Sequence, residues 1–152
     1  MAKTLLKNGV IVNVFTDELE RKDVLIENDK IIGVDFYPET SADKVIDVKD
    51  KYICPGFIDG HIHIESSMLI PSSFYPVTII HGTTTIICDP HEIANVCGVE
   101  GISFMLDDSK NLPQNIYFVV PSCVPATKID EAGAKLDADT IKGLYKNKRI
   151  IG

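Results

Sequence analysis

Two histidines one residue apart, His61 and His63, are the residues whose types and spacing most directly suggest chemistry. They end the apolar run "FIDGHIH", which follows "CPG" at residues 54–56. In a β-strand, alternate side chains lie on one face, so both imidazoles point the same way, about 6–7 Å apart along the strand. Two imidazoles at that separation can bind one metal ion. The pattern favours a metal site at a strand end over two exposed histidines that bind nothing.

Other polar residues lie close to this pair in the sequence or follow the next apolar run. Asp59 shares a face with His61 and is predicted to orient an imidazole, the alternative being a hydrogen bond to nearby backbone. Glu65 is predicted to contact the substrate or a ligand histidine. In "DPHEIANV", His91 and Glu92 form a loop that either reaches the metal or substrate, or only caps the strand. We interpret Asp89 as structural.

The elements that must position these residues follow two different patterns. From residue 53, apolar strands alternate with helical stretches, which indicates parallel β/α units. The predicted strands are "FIDGHIH", "TTTIICD", "NIYFVVPS" and the start of a fourth at "KRIIG", and the predicted helices lie near residues 71–81, 98–111 and 138–146. Residues 1–52 instead contain short β-rich runs separated by turns such as "FTDELERK", which predict a small antiparallel β unit.

A β/α barrel closes with eight units and about 250 residues. This chain of 152 residues supplies the first three units and the beginning of a fourth strand. We therefore predict an α/β fold: an incomplete TIM-type β/α barrel over residues 53–152, with the remainder absent, preceded by a small β domain over residues 1–52.

Composition narrows the class of partner. The net charge of −7 would repel a nucleic-acid backbone or an anionic membrane, so a small molecule is the predicted partner. The sequence has neither an uncharged apolar run long enough to span a bilayer nor the apolar region of a secretory signal. The four cysteines form no C-x-x-C pair, which predicts reduced thiols in a cytoplasmic protein.

Longer stretches of the sequence resemble one family. "ICPGFIDGHIHIESSML" resembles the signature of the amidohydrolase superfamily, and "HGTTTIICDPHEIANVCGVEGISFML" and "VVPSCVPAT" resemble the adenine deaminases within it. The resemblance covers essentially the whole chain and corresponds to the N-terminal portion of that family. It implies that residues 1–52 form part of the family's small β-sandwich domain and that residues 53–152 begin a metal-dependent-hydrolase barrel.

The resemblance also implies an activity. Adenine deaminases hydrolyse adenine to hypoxanthine and ammonia with a metal-activated hydroxide at the mouth of the barrel, usually with manganese or iron, and zinc is a further candidate. The resemblance implies that His61 and His63 are metal ligands at the end of the first barrel strand. The remaining ligands and the main catalytic residues, including a glutamate shortly after "KRIIG", are expected beyond Gly152, with adenine as the partner and a homo-oligomer as the assembly.

Two alternatives remain open at this point. One is another amidohydrolase of cyclic amides or purines, similar to dihydroorotase or hydantoinase, in which a carbamylated lysine would replace the expected glutamate. The other is a truncated, non-catalytic chain. Because two histidines make an incomplete metal site, we expect no turnover by the 152 residues alone.

Overall fold

The structure, a computed structural model, describes residues 2–152. The chain divides into two compact units, of which the first ends at Pro55 and the second spans Gly56–Gly152. Within residues 2–152, no helix is both long enough and apolar enough to span a bilayer.

The first unit consists of two small β-sheets. A four-stranded sheet has the order β5-β4-β1-β6, and a three-stranded sheet has the order β3-β2-β7. The strands are β1 (Lys3–Lys7), β2 (Val10–Asn13), β3 (Glu18–Arg21), β4 (Asp23–Glu27), β5 (Lys30–Asp35), β6 (Lys44–Asp47) and β7 (Tyr52–Ile53).

A buried carboxylate stabilises the first of these sheets. Asp23 is only 4% exposed, and its two oxygens accept hydrogen bonds from the backbone amides of Asn8 and Tyr37, both at 3.1 Å. The ammonium group of Lys7 lies 3.7 Å from the same carboxylate. Because a buried charge needs hydrogen-bond partners, these contacts fix the turn after β1 and the segment after β5.

The second unit is a parallel β/α arrangement. Strands β8 (Phe57–Ile62), β9 (Thr83–Cys88) and β10 (Asn115–Phe118) pair in the order β10-β9-β8, and both pairings are parallel. Helix α1 (Pro71–Ile79) connects β8 to β9, and α2 (His91–Asp108) connects β9 to β10. Helix α3 (Ala138–Leu144) follows, and Ile150 forms a single parallel bridge with Phe118. In the described residues this sheet does not close into a barrel.

The apolar core of the second unit lies between its sheet and its helices. Ile86 of β9, Phe118 of β10 and Ile102 of α2 are fully buried in one cluster. Other apolar residues have no such cover: Phe57 and Ile58 of β8 are 60% and 66% exposed. One face of the unit is therefore well packed, while the edge strand β8 leaves large apolar side chains in solvent.

The predicted alternation of strands and helices is confirmed, but several local predictions were wrong. The first unit is not purely antiparallel, because β1 pairs with β6 and β2 with β7 in parallel. Half of the predicted turn "FTDELERK" forms β3, which pairs with β2. At "KRIIG", where the start of a strand is predicted, the chain does pair in parallel with the end of β10: Ile150 bridges Phe118, and the amide of Ile151 donates a 2.9 Å hydrogen bond to the carbonyl of Phe118. The two parallel pairings join residues distant in sequence, which local propensity does not report, whereas the pairing of β3 with β2 is a local hairpin.

Helix α2 also begins earlier than predicted. It starts at His91 and contains a break at Gly98, where φ is 60° and ψ is −139°. Glycine adopts this backbone conformation without the penalty that a Cβ would bring. The predicted helix start at residue 98 thus corresponds to the break, and residues 91–97 form a first segment that carries two of the candidate site residues.

Candidate metal centre

The parallel pairing of β8 with β9 places the polar residues that follow them side by side. Ile62 pairs with Cys88, and the backbone amide of Asp89 donates a hydrogen bond of 2.8 Å to the carbonyl of Ile62. His63 and Asp89 are thus neighbours at the carboxyl ends of the two strands. In parallel β/α folds this is the edge at which ligands bind.

The two predicted ligand histidines converge at this edge. The Nε2 atoms of His61 and His63 lie 3.3 Å apart, and the ring planes cross at 78°. Two nitrogens bound to one tetrahedral ion at 2.0–2.1 Å would be separated by about 3.3 Å. The pair therefore has the spacing that a single metal ion requires.

The other ring nitrogen of His63 determines its tautomer. Nδ1 lies 2.7 Å from the backbone carbonyl oxygen of Asp89. A carbonyl oxygen only accepts, so Nδ1 carries the proton and the neutral ring has its lone pair on Nε2. The strand-end backbone thus orients Nε2 of His63 for metal binding, as in many metal sites.

Asp89 supplies a third donor. One of its carboxylate oxygens and one ring nitrogen each of His61 and His63 all lie within 4.8 Å of one another. Its Oδ1 is buried and has no hydrogen-bond partner among residues 2–152. A buried carboxylate oxygen without a partner is costly unless a cation lies beside it. Two imidazoles and a carboxylate suit zinc, manganese and iron, so these residues fit a divalent metal.

The sequence led us to interpret Asp89 as structural, and the structure places its carboxylate beside the histidine pair. Two apolar strands of a β/α unit end at the same edge, which indicates that the polar residues after them meet there but not which residue lies beside His63. Asp59, by contrast, accepts a 3.2 Å hydrogen bond from the backbone amide of His61. The structure thus shows a backbone contact for Asp59 where we predicted a contact with an imidazole ring.

His91 and Glu92 lie in the first turn of α2 and not in a loop, and they reach the same edge. Oε2 of Glu92 is 3.4 Å from Nδ1 of His63 and 3.6 Å from Nδ1 of His91. Nδ1 of His91 is in turn 3.3 Å from Nδ1 of His63. The structure therefore brings both residues to the face of His63 that points away from His61.

A pair of carboxyl groups completes the site. Oε1 of Glu65 accepts a hydrogen bond of 3.4 Å from the amide of Ile93, and the hydroxyl of Ser66 donates to Oε1 of Glu92. Burial, followed by the neighbouring Glu92, raises the pKa of Glu65. Burial acts against ionisation of Glu92 too, but the hydrogen bond from Ser66 and other contacts outweigh it and lower the pKa. Of the two carboxyl groups, Glu65 therefore has the higher pKa and Glu92 the lower.

The thiol next to this site is predicted to be unreactive. Cys88 is fully buried, and burial raises its pKa to about 12, whereas Cys54, Cys97 and Cys123 are exposed. Since the thiolate is the reactive form, iodoacetamide at pH 8 should modify the three exposed cysteines and spare Cys88. Mass spectrometry of the alkylated chain would measure this. Unfolding in urea should add the fourth modification, and four rapid modifications of the folded chain would contradict the prediction.

The parallel β/α arrangement, with a histidine pair and a carboxylate at the carboxyl ends of its strands, defines a metal-dependent hydrolase fold. The profile of the Amidohydrolase family matches residues 52–149. The chain belongs to this family.

Comparison with individual proteins agrees with this family assignment. Adenine deaminases from Clostridium acetobutylicum and Geobacillus kaustophilus are each 49% identical over 151 residues, which is 99% of this chain but 26% of theirs. The predicted resemblance to the N-terminal portion of the adenine deaminases is thereby confirmed. The chain spans about a quarter of the length of these relatives.

Solved structures support the fold. A D-hydantoinase superposes with a TM-score of 0.66 at 21% identity, covering 95% of this chain and 30% of that one. An atrazine chlorohydrolase from Arthrobacter aurescens, solved with zinc, superposes with a TM-score of 0.67 at 15% identity, covering 94% of this chain and 42% of that one. At these identities the likeness concerns the fold alone.

Proposed function

We propose that this chain forms the N-terminal part of an amidohydrolase that deaminates adenine to hypoxanthine and ammonia. The observation that carries the proposal is the convergence of the Nε2 atoms of His61 and His63, 3.3 Å apart, within a sequence 49% identical to adenine deaminases. The hydantoinase-like alternative has weaker support, because the D-hydantoinase shares only 21% identity.

The residues that would hold the metal are His61, His63 and Asp89. When bound there, a divalent cation supplies the Lewis acidity that lets water act as a nucleophile near neutral pH. Following the resemblance, we propose manganese or iron, with zinc as a further candidate. The chain's own contribution is to fix the two imidazoles in one orientation before the cation binds.

Glu65, His91 and Glu92 are the other residues of this chain that we propose as contributors to the reaction. Adenine presents an amino group and a ring N–H as donors, and a carboxylate oxygen can accept from either. A carboxyl group whose pKa is raised by burial can also exchange a proton with a ring nitrogen. We propose these three residues as contributors to purine binding or proton transfer, and expect the main acid–base residues beyond Gly152.

The test is ammonia release by the complete polypeptide that the gene encodes, loaded in turn with Mn²⁺, Fe²⁺ and Zn²⁺. We expect metal-dependent ammonia release from adenine and no ring opening of hydantoin or dihydroorotate under the same conditions. Ring opening of either cyclic amide without deamination of adenine would overturn the proposal. A chain with no activity on any of the three substrates would instead support a non-catalytic role.

A further inference from the structure

Three polar atoms surround the Nδ1 atom of His63. The carbonyl oxygen of Asp89 lies at 2.7 Å, Nδ1 of His91 at 3.3 Å and Oε2 of Glu92 at 3.4 Å. The contact with the carbonyl of Asp89 has the length of a normal hydrogen bond. The contacts with His91 and Glu92 are longer.

The group formed by His63, His91 and Glu92 has the residue types of a second metal site. However, a nitrogen that donates to a carbonyl at 2.7 Å carries a proton and has no lone pair for a metal. If Nε2 of His63 binds the cation beside His61, its Nδ1 must keep that proton. The three side chains therefore surround a proton and not a second ion.

Glu92 is held in place for this arrangement. Its Oε1 accepts from the hydroxyl of Ser66, while its Oε2 is buried and has no hydrogen bond of its own among residues 2–152. That oxygen faces Nδ1 of His63. A negative charge on this side stabilises the Nδ1–H tautomer and makes Nε2 a better ligand.

We propose that Glu92 is a positioning residue for the metal centre, which acts through His63 and does not bind the metal. The backbone carbonyl of Asp89 supplies the direct hydrogen bond to His63, and Glu92 adds the charge. Ser66 holds the carboxylate in the orientation that makes this contact. The inference rests on the proposed function, because it assumes a cation at His61 and His63.

The experiment compares the Co²⁺ affinity of three forms of the complete polypeptide: the wild type, Glu92→Gln and Ser66→Ala. Co²⁺ is added to the metal-free protein, and its binding is followed by visible absorption. Glu92→Gln keeps the shape and removes the charge, so we expect affinity to fall about 10–100-fold, with the number of ions at saturation and the absorption band unchanged. Ser66→Ala should act in the same direction but less. Glu100→Gln, an exposed residue of the same helix, is the matched control and should bind like the wild type.

Three outcomes would overturn the inference. Wild-type affinity in Glu92→Gln would show that the carboxylate does not act on His63. A fall in the number of ions bound at saturation would make Glu92 a ligand. Lower thermal stability with unchanged Co²⁺ affinity would assign Glu92 a merely structural role. A separate variant, His61→Ala, tests the underlying site: if it binds Co²⁺ as the wild type does, the proposed function itself fails.

Discussion

Replacing His63 with alanine is expected to abolish divalent-cation binding at the ends of β8 and β9 and, in the complete polypeptide, metal-dependent ammonia release. His63 combines two roles, because its Nε2 faces that of His61 at 3.3 Å while its Nδ1 donates to the carbonyl of Asp89. Loss of a residue that supports a ligand costs about 10–100-fold in metal affinity, and loss of the ligand itself should cost more. His61→Ala should have a comparable effect on binding.

The measurement is metal content and Co²⁺ affinity after dialysis, followed by ammonia release from adenine. His81→Ala is a suitable control, since His81 is exposed after the end of α1 and its backbone amide donates to Thr78. It should retain both metal and activity. Full metal content together with full activity in His63→Ala would reject the assignment of the pair as ligands.

The histidine pair could be predicted from the sequence because its geometry is local. Alternation along one strand places His61 and His63 on the same face, whichever strand lies beside them. The position of Asp89 depends instead on the parallel pairing of Ile62 with Cys88, residues that are far apart in the chain. The sequence pattern predicts that β9 exists, but it does not specify which residue lies beside His63.

The contacts of Glu92 were harder to predict for a different reason. Helix α2 begins at His91. Pro90 and the acidic Glu92 are residue types typical of a helix start, but our prediction did not use them. The predicted helix begins near residue 98, where the structure has the break at Gly98. Since residues 91–97 are helical, Glu92 lies one turn from the strand end, where its carboxylate reaches both Ser66 and His63.

Substitution of Phe118 by alanine is expected to cause the largest loss of stability in the second unit. Phe118 ends β10, is fully buried in the apolar cluster, and has the guanidinium of Arg149 5.9 Å from the centre of its ring. Removing a buried phenylalanine ring costs about 3–5 kcal/mol, because the apolar transfer energy is lost and a cavity remains. That is a large share of the roughly 5–15 kcal/mol that stabilises a typical domain.

Urea unfolding followed by circular dichroism would measure the change in the free energy of unfolding. Phe104→Ala removes the same ring from α2, where Phe104 is 47% exposed, and should cost about 1 kcal/mol or less. The comparison separates the effect of burial from that of side-chain size. Equal losses in the two variants would mean that Phe118 is not packed as described. A larger loss for Phe118 would instead tie the stability of the unit to the cluster between its sheet and α2, the helix whose first turn carries His91 and Glu92.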